Sequence, residues 1–203
     1  MLTLFHAAQS RSGRIVWLLE ELRATYAIEH VEIFRAMSGS GRADSANLHP
    51  DGKVPALMHD GALVTESAAI ALYLTDLFPQ ADLGAPVGSP ERAAYLTWLA
   101  WTAGEMEPAY WAKIEGRTAT DALARKRYDQ VNARILTALK HGPFLMGHRF
   151  TAVDVMVGGA LAWGLEQAPK DDLLDAYVAR VAARPANARA MAKDAPQTTE
   201  AAA

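Results

Sequence analysis

The sequence predicts two domains, an α/β domain at the N-terminus and an all-helical domain after it. Three observations carry that prediction. Strand and helix signals alternate through residues 1–78, a stretch rich in proline and glycine follows at 79–88, and no strand signal appears in 89–203. A length of 203 residues suits one large domain or two small ones.

Taken in order, Leu2–His6 reads as a short strand. Ser12–Tyr26 reads as a helix, because Ile15, Leu18, Leu19, Leu22 and Tyr26 recur at helical spacing while Glu20, Glu21 and Arg23 fall on the other side. Residues 28–34 carry Ile28, Val31 and Ile33 and read as a second strand. Residues 36–52 are rich in Gly, Ser, Asp and Pro and predict loop with room for one short helix. Val54–Met58 and Ala62–Thr65 flank His59-Asp60-Gly61 and predict a hairpin. Ser67–Leu77 predicts a helix ending near Pro79. The first two strands, joined by a helix, are expected to be parallel with a right-handed crossover, and the hairpin pair antiparallel.

After the 79–88 linker, Ser89-Pro90-Glu91 predicts a helix start with a capping serine and proline in the first turn. That helix should run toward Lys113 with a bend or break near Pro108. Further helices are expected over Thr120–Lys140, Thr151–Leu165, Asp172–Arg184 and Ala186–Lys193, with a frayed tail from Pro196.

Composition narrows the function classes. Hydrophobic residues make up 51% and charged residues 21%, with a net charge of -3. Lys and Arg are dispersed, so no nucleic-acid partner is expected. The N-terminus lacks a signal-peptide pattern and no apolar run reaches membrane-spanning length, which predicts a cytoplasmic protein with no membrane partner. There is no cysteine. Disulfides and thiolate metal sites are therefore excluded, and any sulfur chemistry must use a substrate's sulfur.

Two motifs point to a ligand. Pro55 sits inside the apolar run Val54-Pro55-Ala56-Leu57, and proline removes a ladder donor. A cis bond there would turn the Val54 main chain outward toward an extended peptide, against the plainer reading of an edge strand. Thr65-Glu66-Ser67 lies where a strand gives way to a helix. Free N–H groups at the helix start suit a carboxylate, and Glu66 suits an ammonium. Singly, this second motif reads more simply as a capped helix. Together the two motifs describe a site for a short peptide with an amino-acid head.

At this point the sequence resembles the cytosolic glutathione transferases over nearly its whole length. Asn47-Leu48-His49-Pro50-Asp51-Gly52-Lys53-Val54-Pro55-Ala56-Leu57 is similar to that family's asparagine-to-leucine stretch, with polar departures at His49 and Asp51. Glu66-Ser67-Ala68-Ala69-Ile70 and Arg184-Pro185-Ala186 resemble two more family segments. The resemblance implies a thioredoxin-like N-terminal domain plus an all-α C-terminal domain, and a homodimer. It implies glutathione as co-substrate, held by the Val54 main chain beside Pro55 and by Glu66 and Ser67, with Lys53 near the glycine carboxylate. The partner substrate would be a small hydrophobic electrophile, as in detoxification.

The family's activating group follows the first strand. There the segment His6-Ala7-Ala8-Gln9-Ser10-Arg11-Ser12 holds neither tyrosine nor cysteine, which leaves a serine-like active site. Ser10 is the first candidate and Ser12 the second. A hydroxyl donor at a helix start favours an ionised sulfur, and Arg11 adds positive field. The plain alternative is that either serine only caps the helix.

Thr151 and Asp154 fit a structural capping box. Tyr110 and Trp111 are candidates to line a pocket. His6, His30, His49, His59, His141 and His148 are scattered and read as solvated or partly buried singles. Two further functions fit the same fold: a glutathione-dependent isomerase or dehalogenase, and a non-catalytic binding or regulatory protein.

Overall fold

The computed structural model describes residues 1–196; the frayed tail expected from Pro196 lies, past that residue, outside the described residues. The chain forms two compact units. One comprises Met1–Ile70 with the chain from Pro185, and the other Ala71–Arg184. The boundaries fall inside a helix, at Ile70–Ala71, and at Arg184–Pro185.

The first unit is built on a four-stranded sheet of β1 (Leu2–His6), β2 (Tyr26–His30), β3 (Ala56–His59) and β4 (Ala62–Thr65), in the order β2-β1-β3-β4. β1 and β2 are parallel; β1 with β3 and β3 with β4 are antiparallel. The parallel β1–β2 pair and the antiparallel β3–β4 hairpin are those expected from the connections. Helix α1 (Gly13–Leu22) buries Ile15, Val16, Trp17, Leu18, Leu19 and Leu22. It stops earlier than its apolar spacing predicts, because Arg23 takes the left-handed conformation, φ 52°, and its N–H closes on Glu20 O. Tyr26 therefore starts β2 instead of ending α1, and the second strand lies N-terminal to the predicted 28–34. The 36–52 segment contains no helix. β3 begins at Ala56 rather than Val54, and Pro55 before it has no N–H for the ladder; the Val54–Pro55 bond is cis.

Period-two alternation divides β1. Leu2, Leu4 and His6 are buried on one face, while Phe5 packs on the other with Ala7, Val31, Val54 and Ala56. The C-terminal helix α9 (Pro185–Lys193) packs along α1. Glu20 Oε2 accepts from Arg189 Nε at 2.8 Å and Glu20 Oε1 from Lys193 Nζ at 2.5 Å.

Helix α2 (Ser67–Leu77) spans the boundary between the units. In the second unit, residues 79–88 are tied down. Ala152 N donates to Leu83 O at 2.8 Å, Arg149 Nη1 donates to Gly84 O at 2.7 Å, and Leu83 and Ala85 are buried. Helix α3 (Arg92–Trp101) starts later than predicted. Ser89 is no cap: its hydroxyl oxygen is buried with no partner, and Arg92 N bonds to Ser89 O instead. The interruption expected near Pro108 is a π turn over Thr102–Met106, which leads through continuous helical backbone into α4 (Glu107–Ile114), with the proline at its second residue.

A short helix α5 (Arg117–Thr120) precedes α6 (Ala122–Leu139), which Asp121 caps through Leu123 N and Ala124 N. Helix α7 (Ala152–Trp163) carries the Thr151–Asp154 capping box, and Asp171 caps α8 (Asp172–Ala182). Tyr110 is buried and donates to Asn132 Oδ1 at 2.6 Å, so it belongs to this unit's core.

Candidate functional site

The sheet register gathers the candidate residues. Phe5 pairs with Ala56, and Ala56 pairs with Thr65. The Ala7–Ser12 loop, Val54–Pro55 and Glu66–Ser67 therefore leave three adjacent strands at one end of the sheet. Two strand spacings are about 10 Å, and an extended tripeptide also spans about 10 Å.

Ser10 and Ser12 occupy different depths. Ser12 is fully buried at 0% exposure, while Ser10 is half-buried. Their Oγ atoms lie 2.7 Å apart. Ser12 sits at the N-cap of α1, but its side chain makes no capping bond. It turns inward to His6, whose Nδ1 lies 2.8 Å from Ser12 Oγ. The Ala7 carbonyl accepts from Ser10 Oγ at 2.7 Å and from Ser12 Oγ at 3.2 Å. Two main-chain donors complete the cluster: Ala7 N to Ser12 Oγ and Ser12 N to Ser10 Oγ, each at 3.2 Å. The capping alternative for Ser12 is thus replaced by a buried hydroxyl cluster.

His6 corrects the expectation of solvated or partly buried single histidines. It is 0% exposed and meets His30 edge-on at 5.5 Å between ring centres. Burial, with the neighbouring His30 charge, lowers its pKa to about 4, so the ring is neutral near pH 7. Its Nε2 lies 3.3 Å from Asp194 Oδ1, within ion-pair distance. No directed hydrogen bond forms there, and Nε2 is buried without one. Burial raises the pKa of Asp194, against an opposing hydrogen bond from Gln9 N and the charge of Arg35. One sequence signal for His6 existed: it follows Leu2 and Leu4 on the inward period of an apolar strand. Asp194 had none, since only the docking of α9 brings it to β1.

The other candidates divide by exposure. Val54, Pro55 and Ser67 are buried, while Glu66 and Lys53 are exposed. Lys53 Nζ pairs with Asp51 Oδ2 at 3.2 Å. Asn47 Nδ2 donates to Lys53 O at 3.0 Å, and His49 Nδ1 accepts from Asp51 N at 3.0 Å. The loop leading to Val54 is thereby closed by its own side chains. Glu66 has a φ of 67°, left-handed for a residue with a Cβ, and its carbonyl accepts from Ile70 N at 2.9 Å in the first turn of α2. Such a conformation costs about 1–2 kcal/mol and is found where function holds it in place.

Comparison with known proteins identifies the family. The family described as "Glutathione S-transferase, N-terminal domain" matches residues 1–76. The chain is 30% identical over 183 residues to glutathione S-transferase GstA of Escherichia coli O157:H7, covering 82% of this chain and 86% of that protein. Among solved structures, a glutathione S-transferase of Actinobacillus pleuropneumoniae superposes with a TM-score of 0.80 at 26% identity, covering 96% of this chain and 93% of the other. A glutathione transferase of Methylococcus capsulatus str. Bath gives 0.78 at 28% identity, with coverage of 96% and 98%. Sequence and fold together place this chain in the glutathione S-transferase family.

Proposed function

We propose that the protein is a glutathione transferase of serine type, in which the glutathione thiolate attacks a small hydrophobic electrophile. The observation that carries this is the register that brings the Ser10 loop, Val54–Pro55 and Glu66–Ser67 to one end of a single sheet. In this reading the Val54 main chain pairs with the cysteinyl residue of glutathione, Glu66 takes the ammonium and Ser67 the carboxylate of the γ-glutamyl head. Lys53 exchanges Asp51 for the glycine carboxylate. Ser10, the more exposed of the two serines, donates to the sulfur, and Ser12 supports it from behind. Hydrogen bonding to the ionised form lowers a thiol pKa, and the thiolate is the nucleophile.

The same reading carries a cytoplasmic homodimer acting in detoxification. Light scattering tests the dimer, and product analysis separates conjugation from isomerisation or dehalogenation. The deciding experiment is a pH titration of the bound thiolate by ultraviolet absorbance. Wild type should lower the thiol pKa, and Ser10→Ala should give back about one to two units, the worth of one charge-assisted hydrogen bond. A shift that survives Ser10→Ala assigns activation to Ser12 or the α1 N-terminus. Absence of glutathione binding favours a regulatory protein of the same fold.

A further inference from the structure

We infer that Ser10, Ser12, His6 and Asp194 form a proton relay in which His6 stores the proton that glutathione gives up on binding. The inference rests on the site reading above and assigns a role to two residues that reading does not use. Its basis is a continuous chain of short contacts: Ser10 Oγ to Ser12 Oγ at 2.7 Å, Ser12 Oγ to His6 Nδ1 at 2.8 Å, and His6 Nε2 to Asp194 Oδ1 at 3.3 Å.

Each link lies within the N-terminal unit and comes from a different part of it. His6 ends β1, Ser10 and Ser12 precede α1, and Asp194 follows α9. The far end of the chain is held. Asp194 Oδ1 accepts from Gln9 N at 3.1 Å, and Arg35 Nη2 fixes the same loop by donating to Ala8 O at 2.6 Å. The groups that act on His6 and Asp194 are His30 from β2, Arg35 from the loop after it, and the two serines. Burial and the His30 charge keep His6 neutral, so it is available as an acceptor.

The transfer balances. With Nε2–H facing Asp194, the Ser12 hydroxyl turns its proton from Ala7 O to Nδ1 of neutral His6, and the Ser10 hydroxyl turns its own from Ala7 O to Ser12 Oγ. When glutathione binds, the S–H bond breaks and its electron pair stays on sulfur. The proton passes to Ser10 Oγ, the Ser10 proton to Ser12 Oγ, and the Ser12 proton to His6 Nδ1. Every hydrogen bond in the chain reverses. Ser10 then donates to the thiolate, the imidazolium lies between Ser12 and the Asp194 carboxylate, and the two negative charges at the ends of the chain raise the His6 pKa out of the low range that burial imposes. The buried Nε2, which otherwise makes no directed bond, becomes part of a cation facing a carboxylate in this state. After the electrophile consumes the thiolate, the proton leaves by the same route. His6 and Asp194 act through the serines and are positioning residues.

The test is calorimetric titration of glutathione into the full-length protein at neutral pH, in two buffers of different ionisation enthalpy, with thiolate absorbance recorded in parallel. In wild type, thiolate should appear with little proton release to the buffer. His6→Asn keeps a hydrogen-bonding group toward Ser12 but cannot store a proton. Any thiolate it forms should release about one proton per site, and its thiolate fraction at neutral pH should fall. Asp194→Asn keeps an acceptor for Gln9 N and removes the charge beside the ring, and its proton release should move the same way, which guards against a His6 variant that fails to fold. Wild-type thiolate accompanied by a full proton in the buffer overturns the relay while leaving the transferase reading intact. So does wild-type behaviour in a folded His6→Asn. A protein that shows no binding heat for glutathione overturns the relay together with the site reading.

Discussion

Glu20 Oε1 lies 2.5 Å from Lys193 Nζ and also accepts the Tyr26 hydroxyl at 2.8 Å, so one carboxylate joins α1, the start of β2 and the last turn of α9. Burial opposes ionisation of Glu20, but hydrogen bonds from Lys193, Arg189 and Tyr26 outweigh it and hold the pKa at about 2. Asp194 is the next residue along the chain from Lys193, so this ion cluster also sets the far end of the hydroxyl–imidazole chain.

Glu20→Ala should loosen α9 and cost about 1–2 kcal/mol, with both basic partners half-exposed and screened. The loss should appear as a melting-temperature drop of several degrees. The pH dependence has a definite sign. A carboxylate with a depressed folded pKa adds stability above its unfolded value of 4.5, and that stability is lost as pH falls toward about 2. Wild type should therefore lose its advantage over Glu20→Ala within that interval, measured by chemical unfolding at stepped pH. An equal difference at pH 7 and pH 2 would count against the cluster.

His6 acts in the other pH range. Its folded pKa of about 4 lies below its ordinary 6.5, so the unfolded chain binds more protons between those values. Stability should fall as pH drops from 6.5 toward 4, by roughly 3 kcal/mol in full. His6→Asn should be less stable at pH 7 for its altered packing but flatter across this interval. An unchanged slope in the variant would show that the acid sensitivity arises elsewhere.

Glu66 holds a left-handed backbone, φ 67°, in the segment proposed to take the glutathione head group. Glycine removes the Cβ conflict, at a cost of about 0.5–1 kcal/mol in chain entropy. Glu66→Gly should be as stable as wild type or up to about 1 kcal/mol more stable, and Glu66→Ala should gain nothing. Both should bind glutathione at least tenfold more weakly, as expected for loss of a hydrogen-bonded charge. Thermal melts with binding titrations on the two variants separate strain from recognition. Unchanged affinity in both would remove Glu66 from the site.

Asp154 is fully buried and accepts from Leu145 N and Thr151 N, both at 2.9 Å, and from the Tyr177 hydroxyl at 3.2 Å. Burial pushes its carboxyl pKa up, and these donors work against that. Asp154→Ala would strand these donors together with the Thr151 hydroxyl, which donates to Asp154 Oδ2 at 3.3 Å, and should cost about 3–5 kcal/mol. Asp154→Asn, which retains one acceptor oxygen, should cost less. Denaturant midpoints give the comparison; an Asp154→Ala loss under about 1 kcal/mol would mean that water or rearrangement replaces the carboxylate.

Local chemistry was enough for much of this protein. The alternation in Leu2–His6, the turn at His59-Asp60-Gly61 and the Thr151–Asp154 spacing act over a few residues, and the structure contains the elements they specify. Pairing senses follow from connection length, so the parallel β1–β2 and the hairpin were legible as well. The ends of elements were less so. The halt of α1 at Leu22 depends on one left-handed residue, Arg23, and the late start of α3 leaves Ser89 without a cap, neither of which hydrophobic spacing reports.

Tertiary structure alone decided what surrounds the serines. Ser10 and Ser12 are two residues apart, yet they differ in burial because Ser12 turns inward to His6 at the end of β1. His6 meets Asp194 across 188 positions of sequence because Glu20 anchors α9 on α1. Side chains that distant share no period, cap or turn, and only the packing of a helix onto the sheet brings them within hydrogen-bonding reach.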